Sequence, residues 1–114
     1  MLRRLEATVR HQGDVAIIDL RGEINSFAED ALNAASTEPL KDDAETVLLN
    51  FKDVDYINIT GITLIVTLLA RARKTGSRVL ASGLSDHFQE IFRITMLTDF
   101  MSLSPDEDSA IADI

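Results

Sequence analysis

The chain contains no cysteine, which excludes disulfides, thiolate metal sites and cysteine nucleophiles. Histidine is scarce: His11 and His87 lie far apart, neither has a second imidazole at ligand spacing, and no metal site is expected. No G-x-x-x-x-G-K-[ST] or G-x-G-x-x-G run occurs, so autonomous nucleotide binding has no support and no cofactor is implied. Long hydrophobic runs are missing too. The most apolar stretch, Ile57 to Ala72, is broken by Asn58, Thr60, Gly61, Thr63, Thr67 and Arg71, and falls short of the roughly 20 apolar residues a membrane span needs. Arg3 and Arg4 are not followed by an apolar segment, so no signal peptide is read and a cytoplasmic location is expected. Basic residues are outnumbered, 11 against 19 acids, for a formal charge of −8. Nucleic acid and anionic lipid are therefore poor candidate partners, and a basic protein face suits the chain better.

What is present reads as an ordinary globular domain. At 114 residues, with 46% hydrophobic and 26% charged side chains, one domain over 1–114 is expected, burying about two thirds of its unfolded surface. Leu5 to His11 and Val15 to Leu20, joined at Gln12-Gly13-Asp14, predict an opening hairpin. Ser26-Phe27-Ala28-Glu29 has the S-x-x-E form of a capping box and predicts a helix to about Thr37, ended by Pro39 and the charged run Lys41 to Glu45. Thr46 to Phe51 is the near-continuous apolar run of a strand covered on both faces, followed by an acidic loop, Lys52 to Asp55. Ile62, Ile65, Val66, Leu69 and Ala72 then repeat at helical spacing, with Arg71, Arg73 and Lys74 in the last turn and Gly76 as the left-handed cap.

Arg78 to Ser82 predicts another strand, and Gly83 frees the chain to turn. Ser85 or Asp86 caps a helix presenting Phe88, Ile91, Phe92 and Met96. Phe100 to Leu103 is read as a brief last strand. Ser104-Pro105-Asp106-Glu107 combines a capping box with proline at the first helical position, so a terminal helix from Pro105 is expected. The order implies an α/β fold with a mixed sheet, an opening hairpin, then alternating strands and about four helices.

Few residues invite chemistry. Asp53 and Asp55, with Glu23 and Asp19 upstream, are candidate paired carboxylates, but no sugar-binding aromatics accompany them and they read as solvated charge. Ser85-Asp86-His87 puts triad-type residues side by side, where they cannot share one site, and reads as a cap. Phe27, Phe51, Phe88, Phe92 and Phe100 are assigned to apolar faces. Asn58-Ile59-Thr60-Gly61 differs from all of these. Asn58 is a good N-cap, which leaves Thr60 in the first turn of the central helix with its hydroxyl outward, where unpaired N–H groups and the helix dipole favour an anion. A phosphate added there leaves the fold intact and alters what docks on it.

Five short segments in order resemble the STAS domain family of bacterial anti-sigma factor antagonists and sulfate transporter tails. They are Gly22-Glu23-Ile24-Asn25, similar to G-E-L-D; Leu49-Asn50-Phe51, similar to L-D-L; Asn58-Ile59-Thr60-Gly61, similar to D-S-[ST]-G; Ala70 to Val79, similar to R-A-R-x-x-G-x-x-L; and Ile94 to Phe100, similar to L-x-x-x-G-L-x-x-x-F. The resemblance implies a STAS-like mixed sheet and a non-enzymatic regulator whose partner is an anti-sigma factor that is also a serine-threonine kinase. It implies that Thr60 is the phosphoacceptor and that Glu23, Ile24, Asn25, Ser26, Tyr56, Ile57, Asn58, Ile59 and Gly61 form the partner-binding face. The kinase brings ATP and magnesium. Where the family carries aspartate this chain has Asn25, Asn50 and Asn58, which the resemblance suggests cluster near Thr60, and Ile59 replaces a serine. The alternatives are a constitutive STAS interaction subunit of a signalling assembly or transport ATPase, never phosphorylated, and a small-ligand sensor using an apolar groove beside the central helix.

Overall fold

Each strand of the sheet hydrogen-bonds to the strand before it in the chain, giving the order β1-β2-β3-β4-β5. Residues 3–41, 45–112 and 114 are described by a computed structural model. β1 (Glu6–Gln12) and β2 (Val15–Ile24) form the expected antiparallel hairpin, in register from Gln12↔Val15 to Glu6↔Arg21. β3 (Thr46–Ile57), β4 (Arg78–Ser82) and β5 (Ser102–Ser104) then add in parallel. Parallel neighbours need crossovers, supplied by α1 (Glu29–Lys41), α2 (Ile59–Thr75) and α3 (Asp86–Ile94), with α4 (Glu107–Ala112) after β5. This is the mixed sheet, with its opening hairpin and alternating strands and helices, that the sequence predicts.

Strand side chains alternate between two covered faces, which is why β2, β3 and β4 read as nearly unbroken apolar runs. One face (Ile18, Leu20, Val47, Leu49, Phe51, Val79 and Ala81) packs with α1, α2 and α3 in the main core. Phe51 meets Phe92 of α3 edge to face, ring centroids 5.7 Å apart. The other face sets Val15, Ile17, Leu48 and Leu80 against Ala110 and Ile111 of α4. Beside that apolar row runs a polar one: Thr8, Asp19, Asn50, Ser82 and Ser104 are successive register partners across all five strands. Arg10 of β1 clasps α4 to this row, bonding Asp19 Oδ2 at 2.6 Å through Nε and Glu107 Oε2 at 3.1 Å through Nη1.

Several element ends differ from expectation. The first cap is Asn25, not Ser26: its Oδ1 accepts from the Phe27 N–H at 2.9 Å, and Ser26–Ala28 form a 3-10 turn ahead of α1. α1 does not stop before Pro39, which lies buried inside its last turn, where it removes only one ladder bond. Of the charged run expected after it, residues 42–44 lie outside the described residues. The acidic loop at Lys52 to Asp55 is strand, because β2 continues to Ile24 and pairs Arg21↔Asp53, Gly22↔Val54 and Ile24↔Ile57. In α2 the buried line is Gly61, Ile65, Leu68, Leu69 and Ala72, while Val66 is exposed, since the approach of Gly61 to Ile24 sets the helix rotation.

Leu97, not Met96, enters the core beyond α3. Phe27 and Phe100 are exposed rather than internal; the Phe100 ring carries the Arg73 guanidinium, 5.5 Å from its centroid. β5 begins at Ser102, so Phe100 and Met101 precede it. The last helix starts at Glu107 rather than Pro105, capped by Asp106, whose Oδ1 accepts from the Ser109 N–H at 2.8 Å, while Ser104 belongs to β5. The caps at Asn58, Ser85 and Gly76 fall where the sequence puts them.

Candidate functional site

Two helix starts meet at one end of the sheet, where β2 and β3 finish together. Asn25 caps the 3-10 turn after β2 and Asn58 caps α2 after β3. The two caps are joined through the backbone, since the Asn58 N–H donates to the Ile24 carbonyl at 3.2 Å. Asn58 Oδ1 accepts from the Gly61 N–H at 2.8 Å, and its carbonyl accepts from the Ile62 N–H at 2.9 Å. An ideal Cβ on Gly61 would stand 2.0 Å from the Ile24 oxygen, so only glycine lets α2 begin this close to β2.

With Asn58 as the cap, Thr60 is free of capping duty. It is exposed in the first turn, and its hydroxyl makes no hydrogen bond among the described residues. No acidic side chain occupies that first turn. With no acid in that turn to offset the positive end of the 17-residue helix, the electrostatics of the position favour an added anion. Ile59, just before it, is 83% exposed.

The remaining residues divide by burial. Ile24, Asn25, Ile57 and Gly61 are buried and shape the face from beneath. Ser26, Tyr56, Ile59 and Thr60 are exposed and form its surface, with Asn58 and Glu23 intermediate. Glu23 is oriented by Arg3: its Oε2 accepts from the Arg3 N–H at 2.8 Å while its own N–H donates to the Arg3 carbonyl at 3.0 Å. Arg3 also reaches Asp55 Oδ2 at 2.6 Å, an exposed pair worth little on its own.

Asn50 does not join Asn25 and Asn58. Leu49 and Phe51 face the large helices, so Asn50 points to the opposite side, where its Nδ2 donates to Asp19 Oδ1 at 2.8 Å. Arg10 above all, and then Asn50, hold the Asp19 carboxyl below its ordinary range against the opposing effect of burial. Phe27 is the surface residue that sequence reasoning missed, 66% exposed on a turn that packs against α2. The available signal was Ala28, which continues the buried spacing of Leu32 and Ala35 and leaves Phe27 outside it. No three metal-ligating side chains converge and no helix is long and apolar enough to cross a membrane, among the described residues.

A mixed sheet grown in chain order, three helices on one face, one short helix on the other, and a hydroxyl residue at an exposed helix start define a small α/β domain. It belongs to the STAS domain family, which matches residues 6–110. An anti-sigma-B factor antagonist of Staphylococcus aureus is 25% identical over 87 residues, covering 76% of this chain and 81% of its own. An anti-sigma factor antagonist from Mycobacterium paratuberculosis shares the fold with a TM-score of 0.78 at 20% identity, over 96% of this chain and 93% of its own. The Bacillus cell fate determinant SpoIIAA in its phosphorylated form gives 0.71 at 18% identity, over 94% and 97%.

Proposed function

We propose that this chain is an anti-sigma factor antagonist that performs no chemistry itself, docks an anti-sigma factor kinase on the face around Ser26, Tyr56 and Ile59, and is switched by phosphorylation of Thr60. One observation carries the reading: Thr60 presents an unengaged hydroxyl in the first turn of α2, on a backbone pinned by Asn58 and Gly61. Support also comes from the antagonist relative and from a fold neighbour known in a phosphorylated form. A phosphate dianion at Thr60 is tolerated by the helix terminus. It repels acidic groups of a docked partner and must shed water on binding, so it releases the partner without unfolding the domain.

The test is incubation with the candidate kinase and ATP, read by mass spectrometry and by a binding assay. One phosphate on Thr60 is expected, absent in Thr60→Ala, with Thr60→Ala still binding and Thr60→Glu binding at least about tenfold more weakly. Normal binding by both variants, with Thr60 unmodified, assigns the chain instead to the constitutive interaction subunits.

A further inference from the structure

On the face opposite the large helices, the polar row of the sheet opens into a cavity of about 580 Å³ between the central strands and α4. That size lies within the roughly 300–1,000 Å³ typical of small-molecule pockets. Asn50 and Ser82, register partners on β3 and β4, lie along its strand side. Ser82 is only 1% exposed, yet its Oγ has no hydrogen-bond partner among the described residues. Buried hydroxyls are nearly always bonded, so this one marks a place where an occupant supplies the missing partner.

The charges around the cavity are separated by sign. Lys52, on the strand side, has no ion pair among the described residues. Asp106, Glu107 and Asp108 line the α4 side, and Glu107 is already bonded to Arg10. Arg10 also lines the cavity, but its guanidinium is already shared between Asp19 and Glu107, which leaves Lys52 as the free cation. The Ser109 N–H holds the Asp106 carboxyl below its usual range, keeping it an anion at neutral pH. A simple anion meets the carboxylates of the α4 side, and a simple cation meets the Lys52 ammonium. A ligand bearing both charges a few bonds apart satisfies both walls.

We propose that this cavity binds a small zwitterion of the amino-acid class, its carboxylate on Lys52 and the Ser82 hydroxyl and its ammonium on Asp106 and Asp108. Such a ligand bridges β3 and β4 to α4 and holds the terminal helix against the sheet, independently of the Thr60 face.

The isotopically labelled full chain is titrated by NMR with each of the twenty L-amino acids at millimolar concentration, with acetate and methylammonium as single-charge controls. At least one amino acid is expected to give saturable shifts at the amides of Asn50, Ser82 and Asp108, with neither control doing so. Lys52→Gln, at an exposed position, should weaken that binding about tenfold while leaving the spectrum folded, and Ser82→Ala should weaken it further. Absence of saturable shifts from every amino acid, equal shifts from acetate or methylammonium, or unchanged affinity in Lys52→Gln overturns the proposal.

Discussion

Gly61 and Asn50 are each held to one identity by a different force. At Gly61 the force is steric: a methyl group 2.0 Å from the Ile24 oxygen must push α2 away from β2. Gly61→Ala is expected to cost about 2 kcal/mol or more, measured by urea denaturation, and to displace Thr60 with the helix start. At Asn50 the force is electrostatic, because its amide donates to Asp19 at 2.8 Å. Asn50→Asp replaces that donor with a second carboxylate, and two adjacent carboxylates raise the affinity of the pair for a proton. The variant should be about 1–3 kcal/mol less stable at pH 7 and recover part of the loss toward pH 5, as denaturation at the two pH values will show. Residues acting on their own backbone were legible in the sequence: Asn58, Ser85 and Gly76 are caps, and caps are local. Asn50 was not, since its partner lies 31 residues away on the neighbouring strand. Asn25 was misread because Ser26 offers a plausible cap one residue later, and only the geometry of β2 decides between them.

Elements defined by periodicity over many residues were readable; elements defined by what pairs with them were not. The centre of α2 follows from apolar spacing, and its ends from Asn58 and Gly76. Replacing the cap, Asn58→Ala, should cost about 1 kcal/mol and fray the first turn, which amide hydrogen exchange at Gly61 and Ile62 will detect. Phe92 of α3, fully buried against Phe51, is a core anchor, and Phe92→Ala should cost about 3–5 kcal/mol by the same denaturation assay. β3 shows where local reading stops. Lys52 to Asp55 look like a loop by composition, yet the extended β2 gives their backbone a hydrogen-bonding edge, and the charges sit on the strand's exposed side chains. The site inherits this difference. Its central tetrapeptide stood out in the sequence, but the exposure of Phe27 and the burial of Ile24 and Ile57 come from tertiary packing.

For the molecule as a whole, the clasp of Arg10 on Asp19 and Glu107 joins the first strand to the last helix across 97 residues. Arg10 holds the Asp19 carboxyl below its usual range, with Asn50 adding to the effect, burial opposing it and Arg21 contributing a small further attraction. A lowered folded-state pKa contributes stability that is present above the unfolded value, about 4, and is lost as pH falls through the folded value. Acid unfolding below about pH 4 should therefore be shallower in Asp19→Asn than in the parent chain, by circular dichroism. The order of the sheet has a further consequence, in the time domain. Every strand pairs with its predecessor, so a chain emerging from the ribosome can extend the sheet one strand at a time, without waiting for a distant partner. The clasp, and the packing of α4 on the sheet that it secures, form only after Glu107 and the residues of α4 have been made, so they lock a sheet already assembled.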